Sequence, residues 1–238
     1  MTLDITIHKN ILTIILKDIF TNQSIAPYLG FKGGTAVLFF YNLNRFSVDL
    51  DFDLLDEKKE AIVFDTINAI LKNYGQIKTA DKKRYSDIFI LSYKDKLENA
   101  QNLKIEINKR IFGSSYEVKH YLGISMQVMV KGDMAAHKLV AMHERIGKTN
   151  RDIFDVWFFF HNNWPINTKI VESRTGMSYS DFLQTCIDDL SKIGNRGILS
   201  GIGELLDEKQ KTWAKSNLLS ETLFLLKLAL SAHSKEPK

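Results

Sequence analysis

Apolar residues along this chain follow two regimes. Up to about Val130, short runs alternate apolar and polar side chains at Ser47–Leu54, Arg84–Tyr93, Leu103–Arg110 and Ser125–Val130. That alternation predicts strands with one buried face. Between them the spacing predicts helices over Ile5–Phe20, Thr35–Tyr41 and Glu57–Asn73, the last stopping at Tyr74-Gly75. After Gly132 the alternation disappears, and Asp133–Ile146, Arg151–His161, Tyr179–Ile193 and Leu218–His233 read as helices. The pattern therefore predicts an α/β (α+β) part over residues 1–131 and a helical region over 132–238, joined near Lys131-Gly132.

Composition narrows the class. The chain has 238 residues, 45% hydrophobic and 25% charged, which fits one sizeable core and excludes disorder. Its one cysteine, Cys186, excludes an intrachain disulfide and points to a reducing compartment, so a cytoplasmic location is expected. The apolar run Ile5–Phe20 is interrupted by Lys9, Lys17 and Asp18 and has no small-residue cleavage site, so it reads as an amphipathic helix rather than a leader. No stretch reaches the roughly 18 uncharged apolar residues of a membrane span.

The chemistry concentrates in Lys32-Gly33-Gly34-Thr35 and, fourteen residues after Thr35, Asp49-Leu50-Asp51-Phe52-Asp53. Paired glycines beside a hydroxyl form a side-chain-free turn whose N–H groups can approach a phosphate. On a strand the aspartates share one face while Val48, Leu50, Phe52 and Leu54 line the other. Two carboxylates two residues apart can share a divalent cation, so a phosphate cradle beside them points to phosphoryl or nucleotidyl transfer. In Leu103–Arg110, Glu106 shares a face with Lys104, Asn108 and Arg110. It either completes a three-carboxylate cluster or is solvated between basic neighbours.

Further on, Lys138 and Arg145 fall on one helix face, and Asp152 and Asp155 on one face of the next helix. Two readings stand side by side: a structural ion-pair network, or Lys138 reaching a nucleotide phosphate while Asp155 orients it or acts as a base. His137 and His143 lie on different faces and read as surface or packing histidines. Trp157-Phe158-Phe159-Phe160 reads as core, and Cys186 as buried and inert.

These residues resemble the AbiEii/AbiGii toxin family of nucleotidyltransferases, within the DNA polymerase beta-like superfamily. The resemblance runs through Lys32-Gly33-Gly34-Thr35, Arg45-Phe46-Ser47-Val48-Asp49-Leu50-Asp51-Phe52, Ile105-Glu106-Ile107, His137–Arg145 and Arg151-Asp152-Ile153-Phe154-Asp155, over roughly residues 29–160. It implies a nucleotidyltransferase fold, a mixed sheet flanked by helices, with C-terminal helices completing the active site. It implies transfer of a nucleoside monophosphate from an NTP with release of pyrophosphate. Lys32, Gly33, Gly34, Thr35 and Ser47 would bind the nucleotide, Asp49 and Asp51 would hold Mg²⁺ (or Mn²⁺) with Glu106 as a further ligand, and Lys138 and Asp155 match a lysine and an aspartate needed for activity. The implied partners are an RNA acceptor, in particular the 3′ end of tRNA, and a winged-helix antitoxin of a toxin–antitoxin or phage-defence operon. The alternative is a catalytically silent nucleotide- or protein-binding module of the same fold. Thirty-two basic against 28 acidic residues leave a net charge of +4. Lys104, Lys109, Arg110, Lys131, Lys138, Arg145, Lys148 and Arg151 would either border an RNA backbone or be ordinary solvated cations.

Overall fold

The computed structural model describes residues 4–94 and 100–233. The chain divides into two compact units, residues 1–111 with 115–129, and residues 112–114 with 130–238.

The first unit begins with α1 (Ile5–Thr21), capped by the Asp4 carboxylate, which accepts from the Ile7 N–H at 3.0 Å. Strand β1 (Leu29–Lys32) runs directly into α2 (Gly33–Tyr41), and β2 (Leu50–Leu54) follows. Then come α3 (Glu60–Leu71), β3 (Gln76–Lys82), β4 (Ser86–Lys94), β5 (Ala100–Asn108), β6 (Tyr116–Tyr121) and β7 (Ile124–Met129). The strands form one seven-stranded mixed sheet of order β3-β4-β5-β2-β1-β7-β6. Strands β2 and β5 pair in parallel, as do β1 and β7, and the other neighbours pair antiparallel.

One sheet face carries the core. Phe31, Phe52, Phe89, Leu103, Ile105, Ile107 and Val128 are fully buried there, packed with Leu12, Ile15, Leu16 and Ile19 of α1 and Val63, Ile67 and Leu71 of α3. The rings of Phe20, Phe31 and Phe52 meet with centroids 5.4–6.4 Å apart. Because side chains alternate along a strand, burying Leu50, Phe52 and Leu54 turns Asp51 and Asp53 to the opposite face.

The second unit is helical: α4 (Lys131–Glu144), α5 (Arg151–His161), α6 (Thr168–Thr175), α7 (Tyr179–Lys192), α8 (Glu208–Trp213), a π-helical stretch at Ala214–Leu218, and α9 (Leu219–His233). Helix α5 is its centre, with every residue from Asp152 to Phe159 buried. Trp157 lies 4.3 Å from Trp213, ring centre to ring centre, and its Nε1–H donates to Glu221 at 2.9 Å. No helix among the described residues is long and apolar enough to cross a membrane.

The structure departs from the sequence pattern in a few places. The expected strand over Ser47–Leu54 begins only at Leu50, leaving Ser47, Val48 and Asp49 irregular. The short β1, the strongly polar edge strand β3, the edge strand β6, and helices α6 and α8 were not legible. An edge strand has no second neighbour and need not alternate apolar residues.

Candidate active site

The helix α2 starts where β1 ends, beside the strand that carries the aspartates. Gly33 has φ +78°, and a Cβ there would fall on the Asp51 carboxylate. Only glycine permits both the backbone angle and that approach. At Gly34 a Cβ would come within 2.7 Å of the Ser47 hydroxyl and 2.9 Å of the Arg45 guanidinium. The start of a helix presents N–H groups without intrahelical partners, a setting that favours anions.

The irregular segment before β2 is held by side chains. The Thr35 hydroxyl donates to the Asp49 carbonyl at 2.5 Å and lies 3.0 Å from the Ser47 hydroxyl. Nε2 of His8, on α1, lies 2.9 Å from the Val48 carbonyl, and its Nδ1 meets the Tyr93 hydroxyl. A carbonyl only accepts, so Nε2 carries the hydrogen and Nδ1 accepts from Tyr93. Burial is the main influence on His8 and lowers its pKa, against the raising effects of the Val48 hydrogen bond and the Asp49 charge, so the ring is held neutral. The Arg45 guanidinium donates to the Phe46 carbonyl at 2.7 Å. Three carbonyls around Asp49 are thus fixed without a sheet ladder.

The carboxylates do not share one environment. Asp53 is buried and fully engaged: Oδ1 accepts from Lys32 at 2.5 Å and Asn108 at 2.6 Å, and Oδ2 from the Tyr116 hydroxyl at 2.6 Å. Tyr116 reaches it by lying across Gly30, where a Cβ would fall on its ring. Lys32, expected at the nucleotide, forms an ion pair with Asp53. Asp49 and Asp51 are half-buried, and the parallel register sets Asp51 beside Glu106.

The Lys104 ammonium sits among these acids. It pairs with Glu106. Burial lowers its pKa, but Glu106, then Asp51 and Asp49, outweigh that and hold it above the usual lysine value. Among the described residues no group of three or more His, Cys, Asp or Glu side chains is assembled to hold a metal. Asp49 and Asp51 fit a divalent cation as a two-carboxylate pair: all-oxygen donors whose field already draws in a cation, beside a glycine turn without side chains.

In the second unit, Lys138 of α4 pairs with Asp152 at 2.7 Å and Asp155 at 3.0 Å, and Arg145 with Asp152 at 3.0 Å. Both aspartates are buried. Burial pushes the Asp152 carboxyl up, but Lys138, then Arg145 and Arg151, outweigh it and hold it well below the carboxylate range. His137 lies 2.8 Å from Ser114 and accepts from Arg174 at 3.1 Å, while His143 meets Asp189 at 3.0 Å. Cys186 is buried, and burial, with a smaller contribution from Asp189, pushes its thiol up to about 12, so it is a poor nucleophile.

Sequence reasoning missed His8, the engagement of Asp53 and the placement of Lys104. A signal for His8 existed, since it falls in phase with Leu12, Ile15, Leu16 and Ile19 on the buried face of α1.

The family model described as "Nucleotidyl transferase AbiEii toxin, Type IV TA system" matches residues 14–193. The fold is similar to that of JHP933 from Helicobacter pylori, at TM-score 0.62 and 20% identity over 98% of this chain and 97% of that one. It is also similar to MenT4, a nucleotidyltransferase toxin of Mycobacterium tuberculosis, at TM-score 0.57 and 14% identity over 93% of this chain and 84% of that one. No curated protein matches the chain.

Proposed function

Because the chain belongs to the AbiEii family of nucleotidyltransferase toxins, we propose that it transfers a nucleoside monophosphate from an NTP to an acceptor, releasing pyrophosphate. The observation that carries this reading is the close approach of Gly33 to Asp51, which sets a helix start and its N–H groups against the face that holds Asp51. Backbone N–H groups of Gly33, Gly34 and Thr35 would bind phosphate oxygens. Asp49 and Asp51 would hold Mg²⁺ or Mn²⁺, which supplies charge neutralisation of the phosphates and Lewis acidity when bound. The Thr35 hydroxyl holds the Asp49 carbonyl and meets Ser47, Lys32 pairs with Asp53, and Lys32 and Ser47 would border the nucleotide. Glu106 would lend its carboxylate to the metal pair on release from Lys104.

Within this reading the acceptor is RNA, in particular the 3′ end of tRNA. The protein would act in the cytoplasm as the toxin of a toxin–antitoxin or phage-defence pair, restrained by a winged-helix antitoxin. Lys138 and Asp155 keep the roles in activity that the resemblance gives them.

The test is incubation with each labelled NTP and bulk tRNA, followed by sequencing of RNA 3′ ends. Wild-type protein should add nucleotides, and Asp49→Asn should lose at least about a hundredfold of that activity, as expected when charge stabilisation is removed, with an unchanged circular dichroism spectrum. Full activity in Asp49→Asn would overturn the metal assignment. No incorporation with any NTP and acceptor would favour a silent binding module.

A further inference from the structure

Four of the eight cations expected to hold RNA are held in ion pairs. Lys104 pairs with Glu106, Lys109 with Glu60 and Asp87, Lys138 with Asp152 and Asp155, and Arg145 with Asp152. A different set stands unpaired. The hairpin of β3 and β4 turns at Lys83–Tyr85, and residues 78–84 hold Lys78, Lys82, Lys83 and Arg84 against the single acid Asp81. That leaves an excess of three positive charges in seven residues, out of +4 for the whole chain. All four cations are exposed, and none forms an ion pair among the described residues. Lys82 rests over the Phe64 ring at 4.5 Å, and Arg84 over the Tyr85 ring at 4.9 Å. Tyr85 stays 51% exposed at the tip.

We infer that this hairpin is a docking surface for the phosphate backbone of single-stranded RNA, with Tyr85 as a stacking platform for one base. The inference rests on the RNA-acceptor reading above. Unpaired lysines and an arginine release condensed counterions on meeting phosphates, and an exposed aromatic offers a base its face; together they are the elements of sequence-tolerant single-strand binding. The tip at Lys83–Tyr85 agrees in position, whereas Lys82, in register with Asp87 and over Phe64 of α3, stands on the opposite, helix-covered face. Asp51 lies beside Glu106, and Glu106 beside Ile88 of β4. Two strand spacings and a few residues of strand set the tip about 15–20 Å from Asp51, at ~4.8 Å per strand and ~3.3 Å per residue. A short stretch of single strand bridges that span, so the hairpin would hold the single strand while its end reaches the carboxylates. The competing account is that the charges only protect the exposed edge of β3 from pairing with other chains.

The experiment is fluorescence anisotropy of the full chain with a labelled single-stranded RNA oligonucleotide across a salt series. Lys83→Gln with Arg84→Gln should weaken binding and lower the slope of log affinity against log salt by about 1.4, ~0.7 per lost phosphate contact. Tyr85→Ala should weaken binding about tenfold with little change of slope. Lys192→Gln with Lys211→Gln, lysines already paired along their own helices, should change neither. The melting midpoint and the stabilisation by NTP should match wild type in every variant, since all these side chains are exposed at the surface or paired locally. Wild-type binding with an unaltered hairpin variant would overturn the hairpin assignment alone. A wild-type protein that binds no RNA at low salt would overturn the RNA acceptor and this inference together. Equal affinity of the hairpin for polyglutamate and RNA of matched charge and length would overturn it in favour of an unspecific anion surface or an acidic protein.

Discussion

At the scale of single residues, the candidate site depends on what stands beside its aspartates. Gly33 is the clearest case. An alanine there would meet an unfavourable backbone angle and the Asp51 carboxylate at once. Gly33→Ala should cost about 1–3 kcal/mol of stability and lower nucleotide-dependent activity further than that cost explains, because Asp51 must move aside. Urea unfolding and initial-rate measurements on the same preparation check this. His8 acts one step further away. His8→Phe keeps a ring but strips partners from the buried Tyr93 hydroxyl and the Val48 carbonyl, so a loss of about 2 kcal/mol or more is expected. Because the folded-state pKa of His8 is lowered, the unfolded chain takes up the proton first as pH falls. The stability this histidine confers is therefore present above about pH 6.5 and declines below it. Unfolding free energies of wild type and His8→Phe at pH 7.5 and 5.5 should converge as the pH falls.

At the scale of elements, α4 and α5 are tied by buried charge. Spacing put Lys138 and Arg145 on one face and Asp152 and Asp155 on another, and the helices meet so that the four form a chain of ion pairs, Arg145–Asp152–Lys138–Asp155. Lys138→Ala leaves two buried carboxylates short of their main cation and should cost about 3–5 kcal/mol. Activity of the folded fraction then separates a purely structural lysine, with full activity, from one that also serves the nucleotide. The Asp152 carboxyl lies below its unfolded value, so its contribution is full above about pH 4 and is lost as pH falls below that. Melting midpoints should drop steeply under pH 4 in wild type and less in Asp152→Asn. The sheet was legible where strands are central: β2, β4, β5 and β7 alternate clearly, with the apolar set of each on the helix-covered face. It was not legible at its edges, where β3 and β6 carry polar residues on both faces, nor at β1, whose length of four residues is too short to show a period.

At the scale of the whole molecule, the family match over residues 14–193 spans parts of both compact units. If the protein binds NTP with Mg²⁺, ligand present at a hundredfold its dissociation constant should add about 2.7 kcal/mol of stability. Differential scanning fluorimetry with each NTP, with and without Mg²⁺, should show an upward shift for the preferred nucleotide that depends on the metal and disappears in Asp49→Asn. Equal stabilisation by all four nucleotides without metal would count against the two-carboxylate assignment. The net charge of +4 is a poor guide at this scale, since Lys104, Lys109, Lys138 and Arg145 are consumed in local ion pairs while the cations of the β3–β4 hairpin are not.

The periodicity of the chain determined the division into sheet-forming and helical parts, the common face of Asp51 and Asp53, and the motif order that identifies the family, because each is a property of neighbouring residues. Only the tertiary structure decided what each acid meets. Asp53 is engaged because Lys32, Asn108 and Tyr116 converge on it from β1, β5 and β6, and Asp49 is held by Thr35 from α2 and, through the Val48 carbonyl, by His8 from α1. Alternation fixes the face on which a side chain stands. Its partners on that face depend on strand order, which crossover connections set and no local pattern encodes.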